Sequence, residues 1–81
     1  MMVSVQLFAR ARDLAGAATV RVELGNQATV ADLKRRLAED HPALAPLLGR
    51  SAIAVNSEFA EDAVVLELDN EVALLPPVSG G

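Results

Sequence analysis

The sequence predicts an α+β fold in which one helix packs across a mixed β-sheet. Apolar and polar residues alternate near the start of the chain, a period typical of strands with one buried face. Between the early strands and the later ones, residues 30–40 show the period of an amphipathic helix. With 81 residues, the chain is expected to form one domain, because a chain this short buries only ~60% of its unfolded surface.

Two amphipathic strands are predicted first. Val3, Val5 and Leu7 alternate with polar residues, so strand one is expected over residues 3–9. A second alternating run over residues 19–24 predicts another strand. The connection between them, residues 10–18, is expected to be the long loop of a hairpin.

The predicted helix begins after Thr29. Its hydroxyl can accept the free amide groups of a first helical turn, and the charge of Asp32 favours the positive end of the helix dipole. Pro42 disfavours continuation beyond His41. Three apolar side chains fall on one face of this helix: Val30, Leu33 and Leu37.

Short elements follow the helix. Leu44, Leu47 and Leu48 are expected to form an apolar turn or helical fragment over one end of the core. A strand containing Ile53 and Val55 ends at Asn56-Ser57, whose side chains suit a tight turn. Residues 58–60 are expected to return as a minor strand.

The end of the domain contains the last strand, residues 72–75. The stretch 63–68 stays open, because its β-branched composition favours a strand while nothing fixes the register. The order strand, strand, helix, strand, strand is typical of a β-grasp arrangement. We therefore expect a β-grasp domain over residues 1–75 and a flexible tail over residues 76–81.

Composition narrows the possible functions. A net charge of −4 and only two aromatic residues, Phe8 and Phe59, disfavour nucleic acid as a partner. The absence of cysteine removes disulfides, thiolate metal sites and cysteine nucleophiles. The first residues enter a strand pattern rather than a leader peptide, and no apolar run reaches the ~18 residues of a membrane span. A cytoplasmic protein with no membrane association is expected.

The C-terminal tail has an unusual composition. Pro76 and Pro77 cannot donate sheet hydrogen bonds, so the chain must leave the sheet after Leu75. Fully extended, the residues beyond Leu75 could reach about 20 Å, far enough to enter another protein. Gly80 and Gly81 carry no Cβ, which would let the terminal carboxylate pass through a narrow channel.

The tail and several internal segments resemble the small subunits of molybdopterin synthase, the MoaD-like sulfur carriers of the ubiquitin-like ThiS/MoaD family. The resemblance covers nearly the whole chain. The matching segments are Leu7-Phe8-Ala9, residues 12–16, residues 29–33, Ala54-Val55-Asn56, Glu71-Val72-Ala73 and residues 75–81. One departure is Asp69-Asn70, where the family usually has Gly-Asp; both residues tolerate the left-handed conformation that a turn glycine would supply.

The resemblance implies that Gly81, next to Gly80, carries the sulfur. The Gly81 carboxylate would be adenylated by a ubiquitin-activating-like enzyme, which uses ATP, and then converted to a thiocarboxylate with a sulfur donor protein. The tail, including Pro76, Pro77, Val78 and Ser79, would enter the active site of the large synthase subunit. There the sulfur would be transferred to cyclic pyranopterin monophosphate, building the dithiolene of the molybdenum cofactor.

The same resemblance implies a heterotetramer of two small and two large subunits. This chain would bind no cofactor or metal of its own, and it has no convergent catalytic set, so we expect it to catalyse no reaction alone. Phe8 falls in phase with Ser4 and Gln6 on the polar face of strand one, which makes it a candidate for partner binding. Leu75, at the root of the tail, and Arg12, in the first loop, complete the expected interface.

Alternative interpretations remain for these and other residues. For Phe8, the structural alternative is that residues 43–48 or 58–68 cover the ring. For Arg12, the structural alternative is a solvated position in the loop. Phe59 is expected in the core or at its edge. The basic residues from Lys34 to Arg36 are expected to lie on a solvated face of the helix. Other functions consistent with the tail are a thiamine-pathway sulfur carrier, which usually lacks the Pro76–Ser79 run, a ubiquitin-like protein modifier, or an interaction domain with an inert tail.

Overall fold

The computed structural model describes residues 1–77, which form a five-stranded mixed sheet and its helices. The strands are β1 (Met2–Leu7), β2 (Thr19–Glu23), β3 (Ala52–Val55), β4 (Glu58–Ala60) and β5 (Val72–Leu75). The helices are α1 (Ala9–Ala15), α2 (Val30–Asp40) and α3 (Ala45–Leu48), with a 3-10 turn at Pro42–Leu44. The strand order is β2-β1-β5-β3-β4, in which only the β1–β5 pair is parallel. The predicted β-grasp fold is confirmed.

The core lies between one face of the sheet and α2. In β1 the alternation expected from the sequence holds, since Val3, Val5 and Leu7 are buried and the residues between them are exposed. Helix α2 contributes three buried side chains, Val30, Leu33 and Leu37. Its bounds agree with the prediction, because both the capping residue and the apolar period were readable from the sequence.

The start of α2 is fixed by a reciprocal capping box. The Asp32 N–H donates to the Thr29 hydroxyl at 3.3 Å, and the Thr29 N–H donates to the Asp32 carboxylate at 2.9 Å. The Arg35 guanidinium also donates to Asp32, at 2.6 Å. These contacts favour the charged carboxylate, so the Thr29 backbone bond first, and Arg35 next, hold the pKa of Asp32 below its ordinary value.

The connection between β1 and β2 corrects the expectation of a long loop over residues 10–18. It contains helix α1, and Arg12 therefore lies on a helix. The segment is rich in the helix formers alanine, arginine and leucine, and Ala11 is fully buried against the core. Gly16 ends the helix at φ 71°, where its N–H donates to the Arg12 carbonyl at 3.0 Å.

The later elements largely follow the sequence. The three leucines after Pro42 are buried, as expected for a fragment over the end of the core: Leu44, Leu47 and Leu48. The tight turn between β3 and β4 is confirmed, with φ 52° at Asn56 and 69° at Ser57. Residues 63–68 form no strand within the described chain; Val65 makes an isolated bridge to Thr29, and Leu66 is buried.

The turn before β5 forms without left-handed residues. Asp69 and Asn70 both have negative φ, so their tolerance of positive φ is not what maintains the turn. Instead, the Asn70 side-chain oxygen accepts the Glu67 N–H at 2.6 Å, and the Asn70 N–H donates to the Glu67 carbonyl at 3.1 Å. A side-chain acceptor therefore closes this turn.

The helices within residues 1–77 lack the length and apolar character that a membrane-spanning helix needs.

Candidate functional site: the open face of the sheet

The face of the sheet opposite α2 carries two exposed aromatic rings. Phe8 is 43% exposed and Phe59 is 78% exposed. Phe8 follows the last residue of β1 in an extended conformation, φ −125° and ψ 155°, so it keeps the phase of Gln6 and faces away from the core. Its exposure agrees with the alternation predicted from the sequence, although β1 ends at Leu7 rather than at residue 9.

The two rings border a surface cavity of about 280 Å³, which we call the open-face groove. Its lining is mainly apolar, with three polar members. The lining residues are Gln6, Phe8, Ala54, Ser57, Phe59, Glu71, Val72, Ala73 and Leu75. The structure thus brings Phe8 and Leu75 to one groove, the arrangement that was expected of a patch; their role in partner binding stays a prediction.

Small side chains across neighbouring strands help to create the groove. Ala73 lies opposite Ala54 of β3, and Gln6 of β1 pairs with Ala73 on its other side. Alanine projects only a methyl group from the sheet, whereas Phe8, Phe59 and Leu75 project larger side chains around it. The hollow can therefore receive a protruding apolar side chain from a partner.

Phe59 corrects the expectation of a core or core-edge residue. The two-residue turn at Asn56-Ser57 pairs Ala54 with Phe59 and Ile53 with Ala60. Because Ile53 is buried, its neighbour Ala54 and the partner Phe59 must lie on the opposite face. The signal was present in the sequence: a tight turn fixes the register, and the register decides which face receives the ring.

Arg12 does not line this groove. Its N–H points to the Phe8 carbonyl at 3.5 Å, which places Arg12 within one turn of Phe8. The side chain is exposed, and it has no ion-pair partner among residues 1–77. Its expected part in the interface stays a prediction.

The tail leaves the sheet next to the groove. Strand β5 ends at Leu75, which is half-buried, and the two prolines follow. Pro76 is half-buried and Pro77 is exposed. The sequence-predicted tail residues Val78, Ser79, Gly80 and Gly81 lie outside the described residues. The division into a 1–75 domain and a 76–81 tail stays a prediction.

The basic residues of α2 are engaged on the opposite side of the domain. Lys34 pairs with Asp62 at 2.9 Å, Arg35 with Asp32 at 2.6 Å and Arg36 with Asp40 at 3.2 Å. These pairs leave little positive charge for a phosphate group on this helix. Within residues 1–77 there is also no group of three or more His, Asp or Glu side chains placed to hold a metal ion.

The chain matches one protein family over almost its whole length. The sequence profile of the ThiS family matches residues 5–81. The chain belongs to the ThiS family. The match includes β5, the two prolines and the terminal glycines, so the family signature extends through the tail.

Relatives of this ThiS-family chain carry names of two functional types. The molybdopterin synthase sulfur carrier subunit of Chlamydomonas reinhardtii is 36% identical over 83 residues, covering 100% of both chains. The crystal structure of SAMP1, a small archaeal modifier protein, from Haloferax volcanii is 34% identical, with a TM-score of 0.87 and 100% coverage of both chains. This structure confirms the β-grasp topology.

A third ThiS-family comparison includes a partner. A chain from the protein–protein complex of subunits 1 and 2 of molybdopterin-converting factor from Helicobacter pylori is 27% identical to this one. The TM-score is 0.69, and the alignment covers 100% of both chains. A domain of this shape therefore occurs in complex with a second subunit.

Proposed function

We propose that this chain is the sulfur carrier subunit of a molybdopterin synthase. The observation that carries the proposal is the end-to-end match with a molybdopterin synthase sulfur carrier subunit, 36% identical with 100% of both chains covered. The tail sequence, with two prolines followed by two terminal glycines, is the part of the chain suited to entering another protein. The function therefore resides in the tail, and the domain serves to present it.

The proposed chemistry takes place at the Gly81 carboxylate. A carboxylate is a poor electrophile, so a partner enzyme first joins one of its oxygens to the α-phosphorus of ATP, releasing pyrophosphate. Sulfur from the donor, delivered as hydrosulfide (HS⁻), then attacks the acyl carbon to form the carbon–sulfur bond, and AMP leaves with the electron pair of the broken acyl–oxygen bond. The resulting thiocarboxylate is a strong sulfur nucleophile near neutral pH. The chain itself needs no cysteine for this cycle.

The proposed acceptor is cyclic pyranopterin monophosphate, bound in the large subunit. The dithiolene needs two sulfurs, so two thiocarboxylated carriers each give up one sulfur for every product molecule. Residues that hold the substrate and move protons belong to the large subunit in this proposal. The proposed assembly contains two small and two large subunits, and the isolated chain catalyses no reaction.

The open-face groove is the proposed docking surface for the large subunit. Phe8, Phe59 and Leu75 are apolar side chains beside the start of the tail, and Phe59 is almost fully exposed at 78%. Exposed aromatic rings of this kind are typical anchors of protein interfaces. Docking here would bring the root of the tail against the large subunit, so that Pro76 and Pro77 lead the chain towards its active site.

Mass spectrometry of the C-terminal peptide tests the proposal directly. The protein is isolated from its own host under conditions that preserve thioacids, and fragment ions locate any mass change. We expect sulfur in place of one oxygen at Gly81. An unmodified carboxylate in cells that are making the cofactor would contradict the proposal, whereas Gly81 joined to lysine side chains would indicate a protein modifier.

Deletion of Gly81 provides the complementary test in a reconstituted synthase. We expect sulfur transfer to be abolished, because the residue that carries the sulfur is missing. We also expect the melting temperature to stay within about 1 °C of the wild type, because few buried contacts are lost when a terminal residue is removed. Retained transfer would refute the proposed role of Gly81.

A further inference from the structure

Strand β2 lies at one edge of the sheet, on the far side of β1 from the open-face groove. It spans Thr19–Glu23, and β1 is its neighbour in the sheet. The Leu24 N–H donates to the Met1 carbonyl at 2.8 Å, and this bond sets the phase of the antiparallel ladder. Because bonded pairs alternate along such a ladder, Val22 and Val20 also bond to β1. The backbone groups of the residues between them point away from the sheet.

Three residues of β2 therefore present N–H and C=O groups at the free edge: Thr19, Arg21 and Glu23. Within residues 1–77 these groups have no backbone hydrogen-bond partner. The side chains of the three residues are exposed, in alternation with buried ones. Sheet edges are often protected by a proline or a bulge, but β2 contains no proline and its register with β1 is unbroken. The edge can therefore accept another strand.

The charges along β2 are complementary to those of a second β2. Arg21 and Glu23 are two residues apart, so both side chains project from the same face of the sheet. When two copies pair antiparallel about a two-fold axis through Val22, Arg21 of each copy lies opposite Glu23 of the other. Each of these pairs can exchange both backbone hydrogen bonds and also brings opposite charges together. An axis through Arg21 would instead place two arginines opposite each other, which is destabilising.

Both charged side chains can take part in such a contact. Arg21 forms no ion pair within residues 1–77. One carboxylate oxygen of Glu23 lies 3.3 Å from the N-terminal ammonium, but the side chain is 63% exposed, so the other oxygen can accept from an arginine. The strand at the other edge of the sheet, β4, has three residues, of which only Glu58 is charged. It therefore offers no opposite charge to a second copy of itself.

We propose that this chain self-associates by antiparallel pairing of β2 with β2 of a second copy, in the register centred on Val22. The two sheets then continue into one, with the α2 helices of both copies on the same side. The residues that line the open-face groove come from outside β2, so the pairing does not occupy the groove of either copy. Edge pairing buries much less than the ~1,200–2,000 Å² of a stable interface, so the dimer is weak. The inference does not depend on the proposed function.

Sedimentation equilibrium of the full chain measures the self-association, at concentrations from about 20 μM to about 1 mM. We expect a dimer with a Kd of roughly 0.1–1 mM, as befits a small interface. Arg21→Glu should raise the Kd at least about fivefold, because it places like charges opposite each other. The matched control is Arg50→Glu, at an exposed position outside β2. It changes the net charge equally and should alter the Kd by less than about twofold.

The double variant Arg21→Glu/Glu23→Arg tests the register. It keeps the net charge of the wild type and restores opposite charges across the two-fold axis, so its Kd should return to within about twofold of the wild-type value. Nuclear magnetic resonance locates the contact: as the concentration rises, the amide signals of Arg21 and Glu23 should shift more than those of Val20 and Val22, which already bond to β1.

Three results would overturn the inference. They are the absence of self-association at about 1 mM, where such a weak dimer is populated, equal weakening by Arg21→Glu and Arg50→Glu, and failure of the double variant to recover. Circular dichroism verifies that each variant is folded. None of these results would alter the test of sulfur at Gly81, so the two proposals fail separately.

Discussion

The two faces of the sheet use the same strands for different purposes. Between α2 and the face that it covers, Val5 and Leu74 of the sheet and Leu33 of the helix are fully buried. On the open face, alanines lie between exposed rings, and Phe59 is 78% exposed. Burial of an apolar side chain stabilises the fold by about 1.5–3 kcal/mol, whereas an exposed ring contributes little until a partner covers it. Folding and recognition should therefore respond to different substitutions.

The largest effect is expected in the core between α2 and the covered face. Leu33→Ala should lower the free energy of unfolding by about 2–5 kcal/mol, because it removes a fully buried side chain and leaves a cavity. Urea titration followed by circular dichroism measures the change. Met2→Ala, at a 50% exposed position on the open face, is the control and should change stability by less than about 0.5 kcal/mol. Similar losses in both variants would contradict the division between the faces.

The next largest effect is expected on the open face, in binding rather than folding. Phe59→Ala should weaken affinity for the large subunit by at least about tenfold, because it removes an aromatic anchor from the groove. Isothermal titration calorimetry measures the affinity. Met2→Ala serves again as control, since Met2 shares the face but does not line the groove. Unchanged affinity in Phe59→Ala would show that the partner docks elsewhere.

A smaller effect is expected where the open face meets α1. Ala9 has φ 51°, a left-handed conformation that is unfavourable for alanine but not for glycine. Ala9→Gly should therefore raise the free energy of unfolding by about 0.5–1 kcal/mol, as thermal denaturation would show. Ala38→Gly, inside α2, should instead lower it by about 1 kcal/mol. A loss in both variants would mean that the backbone at Ala9 is not strained.

The smallest effect concerns the start of α2. The pKa of Asp32 lies below its ordinary value of 3.8, so the folded state favours the charged carboxylate. This stabilisation is fully present above the ordinary value and is lost as the pH falls through the lower folded pKa. Unfolding measured between pH 7 and pH 2 should show Asp32→Asn less stable than the wild type at neutral pH, with the gap narrowing below pH 3.8. A constant gap would contradict the capping role.

The candidate site was partly readable from the sequence. Phe8 and Leu75 could be identified because each breaks the polar phase of a strand, which requires no knowledge of distant residues. The sequence prediction for Phe59 is wrong, because the register across the Asn56-Ser57 turn pairs Phe59 with Ala54 on the open face. Helix α1 was missed because its seven residues are too short to show a full amphipathic period.

The sequence by itself determined the fold class and the bounds of α2, and it is also the basis for the chemistry proposed for the tail. Those features depend on local patterns: the period of apolar residues, the Thr29 cap, and prolines followed by glycines. The tertiary structure decided that Phe8 and Phe59, distant in sequence, border one groove. That arrangement depends on the parallel pairing of β1 with β5 and on the antiparallel pairing of β3 with β5. Strand pairing is a non-local interaction, which no local pattern specifies.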